Sequence, residues 1–346
     1  MHPGLADIVA DALPEPAASL ATEARFLMCP PRYYAVSYSI NPWMNPVSWN
    51  SGGSALHEEA EQQWFALHDT LLALGAAIDF IDPEPNLPDL VFTANAAIVL
   101  DGKALLARFR LPERQGEEPI FGAALLALRE RIEIDSIMEM PEGIWLEGAG
   151  DCIWDAVRRQ FWMGFGPRSH REAAHVVSES FGVECVALEL SDPSFYHLDT
   201  AFCPLPSGDL IYYPGAFSKT GLRAIEERVT PGHRVAIDHE DATRFAANAV
   251  PLNGSIILSS CSERLRRRLE ERGFAVVATP LQAFLRSGGS ACCLTLRLDH
   301  RSRRGGAAGR LKSGLRSLFC QDLTSWGTLG VRGMLESQTV EGVDGA

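Results

Sequence analysis

The chain has 346 residues, with 31 Lys plus Arg against 44 Asp plus Glu, which gives a formal net charge of -13 at pH 7. This acidic balance disfavours a surface that follows nucleic-acid phosphates and suits a small cationic substrate. No stretch approaches the roughly 18 consecutive apolar residues of a membrane helix, and the first residues lack a basic, apolar leader. We therefore expect a cytoplasmic protein without a nucleic-acid or membrane partner, and the sequence leaves its oligomeric state open.

Eight cysteines are spread along the sequence without a CxxC pair or a compact disulfide framework. Their spacing favours a reducing compartment and argues against a structural zinc site, and no HExxH pattern occurs. We therefore expect neither a metal nor an organic cofactor. The cysteines are Cys29, Cys152, Cys185, Cys203, Cys261, Cys292, Cys293 and Cys320.

The first predicted elements follow a lead-in, residues 1–22, which contains PEPAAS and is expected to be weakly ordered. Apolar alternation predicts strands, and apolar residues at helical spacing predict a helix that Gly75 ends. Asp101-Gly102 is typical of a hairpin turn. In chain order we predict a strand at 24–29, a helix at 56–74, a strand at 77–82, hairpin strands at 90–100 and 103–109, a helix at 117–131 and a strand at 136–140.

The same order of strand, strand, helix and strand recurs at a period of about 50 residues. The next two rounds are regular, whereas the last is looser. They comprise strands at 151–156, 160–166 and 184–190 around a helix at 169–181; strands at 196–205, 210–217 and 234–238 around a helix at 219–229; and helices at 241–248 and 262–272 with strands at 254–260, at 275–280 and around Cys293.

Repeated units of this kind bury their exposed faces against their neighbours, so we predict an α/β propeller-like ring. A doubly wound parallel sheet is the alternative. Paired strands joined by short turns argue against it, since they predict antiparallel neighbours. The repeat ends at Leu298, so we predict a catalytic domain over 23–298 and a mobile tail over 299–346.

Polar residues that could carry chemistry stand at predicted strand ends or turns, where a ring of units would converge. Taken singly, each has an ordinary structural role, because carboxylates beside glycines cap turns and a histidine in an aromatic run is usually a satisfied core group. Together, a thiol, an imidazole and several carboxylates are the groups needed for nucleophilic attack on a cationic carbon. The set is Asn95, Glu147, Asp151, Arg168, His197, Asp199 and Cys293.

Strand geometry makes predictions for two pairs of these neighbours. His197 and Asp199 are two residues apart, so on a strand they would face one cavity. Cys292 and Cys293 in SGGSACCLTLRL are adjacent, so they would point to opposite faces. We therefore expect one of the two thiols to face a site.

Five motifs stand in a specific order, namely INPWMN at 40–45, PDLVFTANA at 88–96, EGAGD at 147–151, FYHLDT at 195–200 and GGSACCLTLRL at 288–298. With them the chain resembles the guanidino-group-modifying superfamily, or penteins, which contains arginine deiminases, dimethylarginine dimethylaminohydrolases, amidinotransferases and arginine dihydrolases. The resemblance implies a five-bladed α/β propeller of ββαβ units, in agreement with the repeat. It also implies a small cationic guanidino substrate and no cofactor.

The resemblance implies roles for individual residues as well. Cys293 matches the family nucleophile, which directly precedes an LTLRL-like strand, and Cys292 then has a packing role. His197 matches the general acid and base. Glu147 and Asp199 match carboxylates that hold the guanidinium or orient the histidine.

Further residues match contacts to the rest of the substrate. Arg108 and Arg168 match arginines that pair with an α-carboxylate, a task that suits bidentate geometry. Asn41 matches another substrate contact, and Asp151, which closes EGAGD, belongs to the same motif set but is expected to be structural. Pro167 departs from the family pattern, since an aromatic residue usually stands beside the equivalent of Arg168.

Asn95 separates the subfamilies, because deiminases and dimethylaminohydrolases commonly carry Asp there, whereas the dihydrolases carry Asn in an FTAN motif. An amide both donates and accepts hydrogen bonds, so it could retain a neutral ureido intermediate for a second attack. We therefore expect a cysteine-dependent arginine dihydrolase that forms ornithine, CO2 and two ammonia through a covalent thiouronium. The alternatives are a dimethylarginine dimethylaminohydrolase, an arginine deiminase, an amidinotransferase or a non-catalytic binding relative.

Overall fold

The computed structural model describes residues 24–302 except 130, 132 and 133. Within that range fifteen strands form five sheets of three strands each. In every sheet two strands pair in antiparallel register, and the second of them also pairs in parallel with a third strand that follows a helix. This is a five-bladed α/β propeller of ββαβ units, the pentein fold, which confirms the predicted fold class.

Strands and helices alternate along the described chain. The strands are β1 Ala24–Met28, β2 Ala76–Phe80, β3 Ala97–Leu100, β4 Lys103–Leu106, β5 Ser136–Met138, β6 Cys152–Asp155, β7 Gln160–Phe165, β8 Cys185–Glu189, β9 Phe202–Pro204, β10 Leu210–Tyr212, β11 Arg234–Ala236, β12 Val250–Leu252, β13 Ser255–Leu258, β14 Ala275–Ala278 and β15 Leu296–Arg297. The helices are α1 Pro46–Ala73, α2 Pro112–Gln115, α3 Glu118–Leu128, α4 Gly148–Asp151, α5 Ala173–Phe181, α6 Lys219–Arg228, α7 His239–Thr243, α8 Glu263–Glu270 and α9 Gln282–Leu285.

Four units follow one another along the chain as β3-β4-β5, β6-β7-β8, β9-β10-β11 and β12-β13-β14. The fifth sheet has the order β15-β1-β2 and so combines the first and last strands of the described chain. There Leu296 of β15 lies opposite Leu27 of β1 in antiparallel register. The ring is therefore closed by pairing between distant parts of the sequence.

Residues 299–302 were assigned to the tail by sequence but contact the propeller. The Arg25 N–H donates to Asp299 Oδ1 at 2.9 Å, beside the pairing of β1 with β15. The predicted lead-in at 1–22 and the rest of the predicted tail lie outside the described residues, so the domain boundaries stay predictions.

Helix α1 begins earlier than the predicted start at residue 56. Asn45 caps it by accepting a hydrogen bond from the Ser48 N–H at 3.0 Å, and Pro46 takes the first helical position, where it costs no hydrogen bond. Non-helical backbone at Gly53 interrupts the helix and breaks its apolar periodicity, which hides the start in the sequence. The predicted end at Gly75 is confirmed.

Three predicted strands are shorter than expected because 3-10 turns or irregular turns precede them. Only Ala97–Leu100 of the strand predicted at 90–100 is extended, after turns at Pro88–Val91 and Thr93–Asn95. Leu198–Thr200 is likewise a 3-10 turn before β9. The prediction that His197 and Asp199 lie on one strand is therefore wrong. Cys293 lies in a turn before β15. These segments are buried except at Cys292, so their sequence resembles a buried strand.

The first strand of each unit lines a central channel with a volume of about 270 Å³. Its wall is largely apolar and includes Ile98 of β3, Phe202 of β9 and Val250 of β12. The long helices pack their apolar faces on the sheets, as Leu125 of α3 does in one cluster with Val99 of β3. The propeller thus brings the segments that precede the five first strands towards one another.

Candidate active site

Six of the nine predicted site residues, and Asn248 in addition, lie in segments that lead into the first strand of a unit; the other three are Asn41, Arg108 and Arg168. These segments are joined by hydrogen bonds across unit boundaries, so residues far apart in sequence become neighbours. Asn95 precedes β3, Glu147 and Asp151 precede β6, His197 and Asp199 precede β9, Asn248 precedes β12, and Cys293 precedes β15.

Cys293 is 3% exposed, and its sulfur has two side-chain partners. The Sγ donates to Asp199 Oδ2 at 3.0 Å and accepts from Asn248 Nδ2 at 3.0 Å. Burial raises the pKa of this thiol well above its ordinary value, and the Asp199 carboxylate raises it further. Burial also raises the pKa of Asp199 to about 7. The sulfur of the free protein is therefore a protonated thiol near neutral pH.

His197 is paired with Glu147 in the interior. Its Nε2 lies 2.7 Å from Glu147 Oε2, and both side chains are buried. Burial lowers the pKa of His197 to about 4, and the carboxylate offsets this only in part. The imidazole is therefore neutral at pH 7. Since a carboxylate only accepts hydrogen bonds, Nε2 carries the hydrogen and Nδ1 keeps a lone pair for proton transfer.

Arg168 holds Glu147 from the other side. Its Nη1 donates to Glu147 Oε2 at 2.9 Å and its Nη2 donates to the Ile40 carbonyl at 3.0 Å. The guanidinium also lies 4.7 Å from the centroid of the Tyr196 ring. Burial alone would raise the pKa of Glu147, but Arg168 and His197 outweigh it and hold that pKa below its ordinary value. Glu147 is thus an ionised anchor for both partners.

Asn95 links the first two units. Its Nδ2 donates to the Glu147 carbonyl at 2.9 Å, and its Oδ1 accepts from Arg114 Nη1 at 2.9 Å. The glycines of EGAGD make this approach possible. A Cβ at Gly150 would lie 2.2 Å from Asn95 Nδ2, and one at Gly148, where φ is +60°, would lie 2.6 Å from the Asn95 carbonyl carbon.

Two other predicted residues, Arg108 and Asp151, have hydrogen-bond partners outside the set formed by the Cys293, His197 and Glu147 side chains. Arg108 Nη2 donates to the Met140 carbonyl at 3.0 Å, and its backbone pairs with that of Leu146. Asp151 accepts from the Ser169 hydroxyl at 2.6 Å and from the Leu198 N–H at 3.1 Å. These contacts give Asp151 a role in joining two units, in line with the structural role expected of it.

A cavity of about 10 Å³, room for one water molecule, lies between the thiol and the imidazole. Asn41 forms part of its wall, where its Nδ2 donates to the Ser287 carbonyl at 2.9 Å. Charged groups of both signs surround this small space. The lining residues are Ile40, Asn41, Asp89, Phe92, Asn95, Arg114, Arg168, Tyr196, His197, Ser287, Gly289 and Cys293.

Three buried carboxylate oxygens at the cavity or next to its lining residues have no hydrogen-bond partner among the described residues: Asp89 Oδ1, Glu147 Oε1 and Asp199 Oδ1. Asp89 lines the cavity, whereas Glu147 and Asp199 are hydrogen-bonded to His197 and Cys293, which line it. Buried acceptors without a donor are costly to a fold, so a cluster of them points to a ligand rather than to stability. A guanidinium carries a positive charge and five N–H donors in one plane. It is therefore a cation that this set of oxygens suits.

Asn248 was missed by sequence analysis although the repeat carries a signal for it. TANAAIVLDGK at 93–103 and AANAVPLNGS at 246–255 share ANA before an apolar strand and an Asp-Gly or Asn-Gly turn. Aligning the first and fourth units therefore equates Asn248 with Asn95. A search for internal similarity would have found this residue.

Asp89 and Arg114 were also missed. Asp89 stands in the recognised motif PDLVFTANA, where a buried carboxylate could have been considered. Arg114 follows Arg108 and Arg110 within one short stretch, and nothing in the sequence separates the three. Only the fold shows that Arg114 is the one that reaches the cavity, fixed there by Glu117 Oε1 and Oε2 at 2.9 and 2.6 Å.

Among residues 24–302 that are described, no group of three His, Cys, Asp or Glu side chains is placed to hold a metal ion. Across the same part of the chain, no helix combines the length and apolarity needed to cross a membrane. The absence of a cofactor and the cytoplasmic location remain expectations from the sequence.

A five-bladed α/β propeller with a cysteine, a histidine and several acidic side chains gathered at its centre defines a pentein of the guanidino-group-modifying superfamily. Residues 37–299 match the family described as eukaryotic N,N dimethylarginine dimethylhydrolase, and the chain belongs to this family. The resemblance found in the sequence motifs is thereby confirmed.

Two curated relatives with different activities are similar over most of this chain. The bifunctional arginine dihydrolase/ornithine cyclodeaminase ArgZ of Synechocystis sp. is 43% identical over 279 residues, which cover 81% of this chain and 38% of that protein. The N(G),N(G)-dimethylarginine dimethylaminohydrolase of Mycobacterium tuberculosis is 33% identical over 294 residues, which cover 84% of this chain and 91% of that protein. The chain thus spans only a minor part of the bifunctional relative.

A solved structure supports the same relationship. The N-terminal domain of ArgZ, an arginine dihydrolase, was crystallised as a cysteine-to-serine mutant bound to substrate. It is similar to this chain with a TM-score of 0.75 and 41% identity, and the match covers 81% of this chain and 100% of that domain.

Proposed function

We propose that this protein hydrolyses the guanidino group of arginine through a covalent intermediate on Cys293, and that it is a dihydrolase. The observation that carries the proposal is a buried thiol and a neutral imidazole that line one cavity, together with three carboxylates that have unpaired oxygens and either line that cavity or bond to the thiol or the imidazole. The arginine dihydrolase activity of a 43% identical relative, and the substrate complex of its cysteine mutant, support it.

Substrate binding would pair each end of arginine with the opposite charge. The guanidinium would take the unpaired oxygens of Asp89, Glu147 and Asp199. The α-carboxylate would pair with Arg168 and Arg114, the arginines that line the cavity. Because the cavity of about 10 Å³ is far smaller than arginine, the side chains that line it must separate as the substrate enters.

The first half of the reaction forms the covalent bond. A guanidinium beside Asp199 and Cys293 favours the thiolate, since a nearby cation lowers the pKa of an acid. The thiol proton passes to neutral His197 as the sulfur attacks the guanidino carbon. His197 returns that proton to the departing nitrogen, the C–N bond breaks, and ammonia leaves a thiouronium on Cys293.

Hydrolysis then regenerates the thiol. Water gives a proton to the imidazole of His197 and attacks the same carbon, the C–S bond breaks, and a ureido product remains. A second attack by Cys293 on the ureido carbon expels another ammonia, and water releases a carbamate that yields ornithine and CO2. In sum, arginine and two waters give ornithine, CO2 and two ammonia.

Asn95 is the residue to which we assign retention of the ureido product. Its second amide hydrogen and the remaining lone pair of its oxygen can face a neutral ligand, because one donor and one acceptor site are already taken by Glu147 and Arg114. Asp at this position would offer only acceptors and would stand beside the backbone carbonyl of Glu147. It would therefore hold a ureido group less well.

The second candidate function is hydrolysis of methylated arginine. It is favoured by the family match over residues 37–299 and by the 33% identical dimethylarginine dimethylaminohydrolase. The same thiol chemistry would then release dimethylamine and stop at citrulline. Substrate choice, not the nucleophile, separates the two candidates.

The test is separate incubation of the purified protein with arginine, citrulline and dimethylarginine, with ammonia, ornithine, citrulline and dimethylamine quantified over time. We expect ornithine and two ammonia per arginine. Citrulline as the sole product from arginine would overturn the dihydrolase assignment. Dimethylamine from dimethylarginine, with no action on arginine, would establish the second candidate instead.

Asn95→Asp tests the retention step in the same assay. We expect the ratio of ornithine to citrulline formed from arginine to fall at least about tenfold, because one hydrogen-bond donor is replaced by an acceptor. An unchanged ratio at reduced overall rate would show that Asn95 supports the site without retaining the intermediate.

A further inference from the structure

Asn248 holds Cys293 through both its side chain and its backbone. The Oδ1 accepts from the Cys293 N–H at 3.2 Å, and the Nδ2 donates to Cys293 Sγ at 3.0 Å and to the Asp199 carbonyl at 3.1 Å. The Asn248 carbonyl also accepts from the Cys292 N–H at 3.4 Å. With this side chain fully buried, its amide is committed to the segment that carries the sulfur.

The orientation of this amide is fixed by chemistry. The Cys293 N–H can only donate and the Asp199 carbonyl can only accept, so a rotated amide would place like groups together at both positions. The donor must therefore face Sγ. Such a hydrogen bond favours a negatively charged sulfur over a neutral one.

The other groups around the sulfur do not share this role. Asp199, Cys292 and the Tyr196 hydroxyl are acids that oppose a negative charge there, and His197 is neutral at pH 7. The backbone of Ser290 is the other group that favours the charged sulfur. Asn248 is thus the side-chain donor that the fold supplies to the atom on which the proposed function depends.

We propose that Asn248 is a further catalytic residue of this protein, which stabilises the Cys293 sulfur by direct hydrogen bonding when it attacks and again when it departs. The proposal rests on the assignment of Cys293 as the nucleophile. Each covalent step places negative charge on this sulfur, first in the thiolate and then when the C–S bond breaks. A donor fixed in advance stabilises both events without reorganisation.

Asn248→Asp keeps an oxygen for the Cys293 N–H but removes the donor at Sγ and adds a negative charge, so the neutral variant Asn248→Ser is measured beside it. Asn253→Asp is the matched control, since Asn253 is an exposed residue of the same unit whose Nδ2 contacts the Leu74 carbonyl. Iodoacetamide alkylation between pH 8 and pH 10 reports the thiolate without any substrate. Tryptic peptide 287–297 contains both Cys292 and Cys293, and its fragment masses separate them.

We expect alkylation of Cys293 in Asn248→Asp to be at least about tenfold slower than in the wild type at pH 9, which corresponds to one pKa unit. The kcat for arginine should fall by about 10²-fold, with KM within about threefold, as for loss of one donor to a developing anion. Asn253→Asp should match the wild type in both measurements.

Unchanged alkylation and kcat in Asn248→Asp would overturn the inference and leave Asn248 as a spacer. Asn248→Ser, which is neutral and too short to reach the sulfur, should also be alkylated more slowly. Normal alkylation in Asn248→Ser would overturn the inference as well, because the slowing in Asn248→Asp would then come from its added negative charge. Asn248→Ser also carries the comparison if Asn248→Asp does not fold, as judged by thermal melting. If the wild-type protein does not act on arginine, the proposed function fails, but the alkylation comparison still decides the role of Asn248.

Discussion

The turn before β15 presents its two cysteines to different surroundings. Cys293 lines the small polar cavity and is hydrogen-bonded to Asp199 and Asn248, whereas Cys292 lines the apolar channel. Burial raises the pKa of both thiols well above the ordinary value. The resting acidity of the two sulfurs therefore does not distinguish them. What distinguishes them is the presence of acid, base and donor groups within reach of one sulfur.

The largest expected effect separates the two thiols by activity. Cys293→Ser should reduce ammonia release from arginine by at least about 10⁴-fold, because a hydroxyl lacks the nucleophilicity of the thiolate. Cys292→Ser makes the same atomic change one residue away and should keep turnover within about threefold. Initial rates at saturating arginine measure both. Loss of turnover in Cys292→Ser alone would show that the wrong sulfur had been assigned.

The next effect concerns the loss of stability that the buried Asp199 carboxyl causes when it ionises. The pKa of Asp199 is about 7 in the fold and about 4 in an unfolded chain. Because Asp199 loses its proton more readily in the unfolded chain than in the fold, its contribution to stability is complete below pH 4 and is lost as the pH rises through 7. Asp199→Asn removes this loss, so its melting temperature should exceed that of the wild type by a few degrees at pH 8 and by less at pH 5.

The control for that experiment is the activity of the same variant. Asp199→Asn should be inactive towards arginine, since a carboxylate of the proposed guanidinium site is gone. A melting-temperature difference that does not change between pH 5 and pH 8 would contradict the linkage. Greater stability with lost activity would show that the carboxyl serves function at the expense of the fold.

The smallest effect is a change in stability at Cys292, the cysteine that lines the apolar channel. Cys292→Ser places a hydroxyl in a largely apolar wall, which should lower the free energy of unfolding by about 1–2 kcal/mol. Urea titration measures this change. An unchanged midpoint would mean that the hydroxyl finds a hydrogen-bond partner in the channel wall. A lowered midpoint, together with the first experiment, would show that Cys292 serves packing and Cys293 serves chemistry.

The repeat and the order of its elements were predictable, because each unit has its own apolar strands, turn residues and helix. Asp101-Gly102 gave the hairpin between β3 and β4, and Gly75 gave the end of α1. The same regularity predicted a propeller-like ring, and the family resemblance implied its five blades. The local sequence pattern was sufficient for prediction where the backbone conformation it favours is the one found in the fold.

The site was less predictable, because it is built from turns that join different units. His197 and Asp199 were placed on one strand, whereas the backbone between them forms a 3-10 turn, and they meet different partners. Arg114 was indistinguishable from its neighbours until the fold brought it to Asn95. Contacts of this kind depend on long-range packing, which single-sequence patterns do not record.

The closing of the ring has a consequence for folding during synthesis. Cys293 lies just before β15, and β15 completes the sheet that begins with β1 near the start of the described chain. A nascent polypeptide still on the ribosome can assemble four blades before this sulfur has emerged. Maturation of the reactive centre therefore coincides with closure of the propeller, and a protein truncated before Cys293 would lose circular closure and nucleophile together.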